Sequence, residues 1–513
     1  KSAAKSKKMK KRNAVPVRSS PASSIIMALP EEILSKIFTH VVYDTRDSYV
    51  MDVLVRRIES IYQRLHTLLA VCTAWRRVGL ACPTLWTVVP FADHQKGHQR
   101  PLSAPLSLER AGSKGLHLAM SAWHFSPRRF KALTGHWHRF SVINVWSNTE
   151  DEEDIHHVLS ALLKHSPPVS ISTLSLRREP ALADFFGRPY HLAHHEPSIS
   201  RLISSLSVLR TNNINIEWPR ITFTHRLITL EFSNMKLYDN LAITSFFAAL
   251  SSAKELKELK LVSFVIGLDQ PGVTKPSGVV SLPKLQLLHL EHLYFNIIQF
   301  VLSAIAPGSY SLTLNPLEET FLDYVSGREG DRVSEDRICT YLSGIKVHKL
   351  ILWGQRRFFW SNKAGLARLL GSTPSVKTLV MNYYPTNLET LAALKRPSGP
   401  KSQKENNFPI LTRLEMHGAY VEIPLARLKT VLNDALESHQ IQRMVFGGVF
   451  VVDQRVPITK PLDENDEVFE WLKLKVPHFT KSPEPSRAPE ATDIFESLIM
   501  YGTMCYTIEG GVT

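Results

Sequence analysis

Leu256-Lys257-Glu258-Leu259-Lys260-Leu261 and, 29 residues later, Leu285-Gln286-Leu287-Leu288-His289-Leu290 share one spacing: an apolar residue followed by others three and five positions on. The spacing recurs upstream at Phe140/Ile143/Val145, Ile171/Leu174/Leu176, Leu206/Leu209/Thr211 and Leu227/Leu230/Phe232. Downstream it recurs at Val347/Leu350/Leu352, Val376/Leu379/Met381, Leu411/Leu414/Met416 and Ile441/Met444/Phe446, with Leu312/Leu314 as a shortened copy. The central residues of successive copies lie about 30 apart on average, an interval that triplets scattered through an ordinary α/β domain do not keep. In each copy the last two apolar residues enclose a single position, the period of a strand with one face in a core. Pro283, Pro374 and Pro409 each stand two residues before the first apolar position of their copy. Between copies, Asp154 to Lys164, Asp239 to Leu250, Tyr294 to Ala306, Asn362 to Leu370 and Leu425 to Leu436 carry helical periodicity. The predicted architecture is an α/β solenoid over residues 92–480, with parallel strands inside, helices outside, and each unit burying its apolar face against the next.

The six-residue signature resembles the strand motif of leucine-rich repeats, and the interval is close to the longer types of that family. The resemblance implies a curved stack whose concave, strand-lined side binds a protein. Ser175, Arg177, Glu231, Lys260, His289, Glu291, Ile351, Trp353, Asn382, Glu415 and His417 flank the strand leucines and are the candidate lining. Both signs of charge occur among them, so no single-sign ligand follows from these positions alone. The stretch Trp353 to Trp360, with Arg356 and Arg357, is either an interface hot spot or aromatic packing under a loop. Candidate target-binding residues are therefore Arg177, His289, Glu291, Trp353, Arg356 and Arg357. Gly and Pro clusters at Asp269 to Pro283, Pro397 to Pro409 and Ser482 to Pro489 mark surface loops.

Residues 25–91 have a different texture. Leu29, Ile33, Leu34, Ile37 and Phe38 form one helical stripe, with Pro30 in a permitted first-turn position and Glu31 and Glu32 complementing the helix dipole. A second stripe runs Leu54, Ile58, Ile61, Leu65, Leu68, Cys72, Trp75, Val78, and the chain turns back at Pro83-Thr84-Leu85-Trp86. By itself this is a small helical domain with Trp75 and Trp86 in its core. The ordered set Leu29 to Phe38, then Val71-Cys72 with Trp75, then Cys82-Pro83 with Trp86, resembles an F-box, as found in F-box-like proteins of mushroom-forming fungi. That resemblance implies docking onto the Skp-type adaptor of a cullin-RING ubiquitin ligase through Leu29, Pro30, Ile33, Leu34, Ile37, Phe38, Val71, Trp75, Leu85 and Trp86. Relative to the compact motif, residues 43–64 are an insert whose periodicity extends the second helix.

The formal charge of +14 is unevenly placed: residues 1–18 hold six Lys, two Arg and no acid, leaving +6 on the other 495. Residues 1–24 are expected to be a disordered basic tail, and Lys5 to Arg12 has the density of a nuclear-import signal. A nuclear or cytoplasmic location fits that tail and the four scattered cysteines, Cys72, Cys82, Cys339 and Cys505. No apolar run suits a bilayer, so no membrane partner is expected, and nucleic acid is disfavoured because the excess charge sits in the tail. No glycine-rich phosphate loop, nucleophile elbow or paired zinc histidines occur, so neither an enzyme, a cofactor nor a metal is expected. The Glu150 to Asp154 run reads as a solvated helix start, and residues 481–513 are left unassigned. Two readings remain: a non-catalytic substrate-recognition subunit of a ligase, or a repeat scaffold whose F-box-like helices cap the solenoid.

Overall fold

A computed structural model of the chain describes residues 29–43, 54–91, 104–122, 130–147, 153–165, 170–178, 190–191, 197–267, 278–325, 328–354, 358–397, 407–453, 458–462 and 466–482. The basic tail with Lys5 to Arg12, Arg356, Arg357, most of the Glu150 to Asp154 run and everything past Ser482 lie outside these residues.

Among the described residues, the N-terminal unit contains three helices, α1 (Glu31–Val42), α2 (Leu54–Val71) and α3 (Thr73–Ala81), followed by a 3-10 turn at Pro83–Trp86. α1 begins after Pro30 with two glutamates in its first turn and buries Leu34, Phe38 and Val42. The insert does lengthen α2 from Leu54, but the second stripe is not one helix. Cys72 adopts an extended conformation (φ −159°), and its Sγ accepts the Trp75 N–H at 3.4 Å, capping α3. Heptad-like spacing runs through this break because α3 packs its own apolar face on the same core, with Phe38 and Trp75 ring centroids 4.9 Å apart. The Trp86 indole N–H donates to the Gly79 carbonyl at 3.0 Å.

Among the described residues, a sixteen-stranded sheet follows, accompanied by three two-stranded ones. Its strands are β1 (Val88–Phe91), β2 (Leu116–Ser121), β3 (Phe140–Ser147), β4 (Thr173–Arg178), β5 (Val208–Asn212), β6 (Thr229–Ser233), β7 (Glu258–Val262) and β8 (Leu287–Glu291). Then come β9 (Ser311–Asn315), β10 (Val347–Trp353), β11 (Thr378–Asn382), β12 (Arg413–Val421), β13 (Arg443–Asp453), β14 (Ile458–Pro461) and β15 (His478–Lys481). A two-residue strand at Pro385–Thr386 completes the set by pairing with β12. Neighbours in sequence are neighbours in space and parallel; the exception is β14, antiparallel on β13, while β15 pairs with β13 on the parallel side. The sheet starts at Val88, inside the segment assigned to the helical unit from sequence.

All eleven motif copies become strands, and the helices predicted between them form, for example Asn240–Ser252 and Leu425–Glu437. Asp239, Ser334, Asn362 and Asn387 accept backbone N–H groups at four helix starts, so polar residues there satisfy the orphan donors of the first turn. The middle residues pair in register, Ile143 with Leu174, Leu209, Leu230, Leu259, Leu288 and Leu312 in turn. At the next junction the register slips: Leu312 pairs with Val347, Leu314 with Leu350, and Thr313 with Lys349. From β10 onward the middle residues again align, Leu350 with Leu379, Leu414 and Met444. The apolar residues behind the sheet join those of α1–α3 in one continuous core. At about 1.5–3 kcal/mol for each fully buried large apolar side chain, that core holds the stack together.

A recurring turn ends the strands. Asn213, Asn234, Ser263, His292 and Tyr383 have φ between 48° and 56°, and each follows the last residue of its strand. In that conformation the N–H of each reaches across to a carbonyl of the next strand: Asn234 to Val262 at 2.9 Å, Ser263 to Glu291 at 3.0 Å, Tyr383 to His417 at 2.7 Å. Gly354 makes the same bond to Asn382 at 2.9 Å, and there a Cβ would overlap the Tyr383 carbonyl oxygen and the Tyr384 Cα. Left-handed backbone is costly for residues with a Cβ, so the repeated interstrand bond compensates a repeated local strain.

Candidate functional site

Two surfaces emerge from this frame. The first is on α1. Its buried side fixes the helix on the core, and its other side leaves Ile33, Ile37 and Val41, one residue per turn, 42%, 41% and 42% exposed. Pro30 is exposed and Leu29 half-buried at its start, while Val71 at the end of α2 is 57% exposed. Of the ten residues picked out by sequence, Leu34, Phe38, Leu85 and Trp86 are interior, and Trp75 is half-buried against Phe38. Those five hold the unit together; Leu29, Pro30, Ile33, Ile37 and Val71 are the ones a partner can reach. Val41 continues the stripe and was missed, although its i+4 spacing from Ile37 was legible. The inner side of the unit is tied to the sheet, with the Tyr62 hydroxyl donating to the Val88 carbonyl at 2.9 Å and lying 2.5 Å from the Ser107 hydroxyl. Burial pushes the Tyr62 phenol well above its usual range.

The second surface is the face of the sheet turned away from the helices. Arg210 and Lys260 flank Glu231 across adjacent strands, each 3.7 Å from its carboxylate. His289 Nε2 lies 2.8 Å from Glu291 Oε2, and both side chains are buried. On β12 the order is reversed: His417 Nε2 meets Glu415 Oε2 at 3.1 Å, its Nδ1 meets the Ser482 hydroxyl at 2.9 Å, and Arg413 also contacts Glu415. Burial pushes the Glu415 carboxyl up, but the His417 hydrogen bond and the charges of Arg413, Lys349 and His417 outweigh it and hold the group below the usual carboxylate range. Hydroxyl, imidazole and carboxylate are in the order of a nucleophilic triad here. With Glu415 2% and His417 and Ser482 1% exposed, no reactant can approach, and the trio ties β12 to the end of β15. Ser263, His292 and Glu319 form a similar chain at the strand ends, with 2.5 Å at both steps. Among the described residues, no group of three metal-binding side chains converges and no helix is long and apolar enough to cross a membrane.

Sequence reasoning placed Arg177, His289 and Glu291 on this face, and they are there, in register rows shared with Asn212 and Lys260. Trp353 is on the same face but buried, its ring stacked on Tyr383 at 5.8 Å. The rest of its aromatic stretch is interior: Phe358, Phe359 and Trp360 pack on Phe321 with centroids 6.1, 5.6 and 5.1 Å away. The packing alternative therefore describes these residues. A set missed from sequence is the row Lys349, Thr378, Arg413, Arg443, His478, aligned across β10, β11, β12, β13 and β15. These residues precede the middle leucine rather than follow it, and the register slip places them in line with His289 and Thr313.

No protein-family model matches the chain. None of the curated proteins matches it either. Among solved structures, the chain is similar to a Bacteroides fragilis protein that was a structural genomics consortium target, at 11% identity over 77% of this chain and 88% of that one, with a TM-score of 0.31. So loose a superposition assigns nothing, and the solenoid assignment stands on sheet order and register.

Proposed function

We propose that the chain is a non-catalytic substrate-recognition subunit of a Skp-cullin-F-box ubiquitin ligase. In this reading the exposed stripe of α1 docks the Skp-type adaptor and the strand face of the solenoid holds a target protein near the ubiquitin-loaded partner enzyme. The observation that supports it is the division of α1: Phe38 and Leu34 are buried as anchors, while Ile33, Ile37 and Val41 remain in water on a rigid helix. A helix that only capped the solenoid would bury Leu29, Ile33 and Phe38 together. The scaffold reading draws on the contact between Tyr62 and β1, which closes the sheet's first edge; α2 covers that edge while α1 faces outward, so the two roles coexist.

The test is a calorimetric titration with a Skp-type adaptor. Full burial of a large apolar side chain is worth about 1.5–3 kcal/mol, so covering two-fifths of each of Ile33, Ile37 and Val41 contributes about 1 kcal/mol apiece. The triple change Ile33→Ser, Ile37→Ser, Val41→Ser should weaken binding roughly 100-fold at an unchanged melting temperature. An unaltered affinity, or no binding by the wild-type chain, refutes the ligase reading.

A further inference from the structure

We propose that the open edge of β15 is filled by this chain's own residues Thr503 to Ile508, which add one more parallel strand beside it. The proposal goes beyond the two surfaces above and depends on neither adaptor docking nor target binding.

The edge lacks a neighbour. β15 pairs with β13 on one side, and among the described residues no strand pairs with its other side. The His478 N–H donates to the Gln442 carbonyl at 3.1 Å and the Ser482 N–H to the Phe446 carbonyl at 3.0 Å. Bonding groups alternate along an extended chain, so the N–H and C=O of Phe479 point toward the open side. Packing stops there as well. The middle residues of the eleven copies from Ile143 to Met444 are at most 3% exposed, whereas Phe479, in register with Met444, is only half-buried. At the opposite end the first strand is protected, because Tyr62 of α2 bonds the Val88 carbonyl. An unpaired edge invites pairing with another strand, and a repeat array needs a terminal unit to close its core.

Residues 483–513 lie outside those described, and their sequence supplies the occupant. Tyr501, Met504 and Tyr506 repeat the spacing of three and five. Over Thr503 to Ile508 the residues alternate strictly, with Met504, Tyr506 and Ile508 in one set and Thr503, Cys505 and Thr507 in the other. Met504 follows Phe479 by 25 residues, inside the range of 21 to 38 that separates middle residues elsewhere in the array. Just before it, Ile494, Phe495, Leu498 and Ile499 form a helical stripe, opened by Asp493 with Glu496 three residues on and closed by Gly502. The same order occurs in the preceding unit, where the helix Glu467–Lys475 leads through Val476 into β15. Thr503 stands 21 residues after Ser482, enough for the helical crossover that a parallel neighbour requires. Tethered in this way, the segment meets the edge at an effective concentration on the order of millimolar, so it outcompetes a second copy in dilute solution.

Pairing of Met504 with Phe479 sets Cys505 beside Thr480. Adjacent strands are about 4.8 Å apart, within the span of about 4.4–6.8 Å between Cα atoms that a disulfide tolerates. His478, two residues out of register on the same face, is about 8 Å from Cys505 and beyond that span. The experiment uses the full chain carrying Thr480→Cys or, separately, His478→Cys; both positions are exposed, so neither change removes a core contact. Each variant is oxidised with diamide at micromolar concentration, digested without reduction and mapped by mass spectrometry. Position 480 should link to Cys505 within one chain in at least tenfold higher yield than position 478. A second readout needs no added cysteine: with Met504→Asp and Tyr506→Asp together, amide exchange in peptides spanning β15 should be at least tenfold faster than in wild type, with β3 to β8 unchanged. Absence of a link at position 480, equal yields at the two positions, or unaltered exchange of β15 would each overturn the proposal. A link formed between two chains would also overturn it, by placing a second copy at the edge.

Discussion

Replacing His417 with alanine tests whether the buried trio on β12 holds the C-terminal end of the solenoid. The imidazole is 1% exposed and bridges Glu415 at 3.1 Å and Ser482 at 2.9 Å, joining positions 65 residues apart. A hydrogen bond to a charged group contributes about 1.5–3 kcal/mol and a neutral one about 0.5–1.5 kcal/mol. Arg413 still faces Glu415 in the variant, so the expected loss is about 2–4 kcal/mol rather than the full cost of a stranded buried charge. A repeat array is stabilised by neighbour contacts, so this loss should appear first as faster amide exchange in β12, β13 and β15, with β3 to β8 unchanged. Acid titration adds a sign. A carboxyl lowered in the folded state contributes stability that is complete above its unfolded value, about 4.3, and lost as pH falls through its folded value. Without His417 the lowering shrinks, so His417→Ala should lose less additional stability than wild type between about pH 5 and pH 3. Urea unfolding followed by tryptophan fluorescence at both pH values measures this. An unchanged neutral midpoint together with an identical acid limb would refute the assignment of the trio as a structural tie.

Two further outcomes follow from buried positions. Phe38→Ala removes a fully buried ring packed on Trp75 and should cost about 3–5 kcal/mol, seen as early loss of the helical unit in a urea titration and, unlike the exposed-stripe variant, as a lower melting temperature. Gly354→Ala drives a Cβ into the Tyr383 carbonyl and the Tyr384 backbone, neither of which can yield as a side-chain tip can; a loss of about 3 kcal/mol or more, with faster exchange of β10 and β11 amides, is expected in native-state hydrogen exchange.

Most strands visible in the sequence carry apolar side chains at all three positions; β5, with Thr211 at the third, and β9, with only Leu312 and Leu314, were legible through the repeat interval. β2 shows only the alternation of Leu116, Leu118 and Met120 and stands before the first full copy, where no interval points to it. β15 escaped because its third position is Lys481, whose ammonium instead lies over the Phe469 ring at 5.2 Å while also reaching the Leu462 carbonyl. The strand-end turns left no compositional trace, since Asn213, Ser263, His292 and Tyr383 share only a backbone angle. The helix break at Cys72 was hidden because apolar spacing reports the face that is buried, not the continuity of the chain behind it. For the candidate surfaces, residue types located the α1 stripe, yet only burial separated its anchors from its exposed members. The basic row needed the register between β9 and β10, which pairing decides and a single strand's sequence does not contain.

The slip at Leu312 and Thr313 also sets how such an array can be rebuilt. Strands from β3 to β9 are interchangeable parts of one phase, and those from β10 to β13 of another, because within each group middle residue pairs with middle residue. A block copied within its own group arrives in step with its neighbours. Transplanted across the joint, the same block would be displaced by two residues, about 7 Å along the strand. Its helix and its strand-end turn would then miss their seats, so duplication or exchange of repeats is confined to either side of this joint.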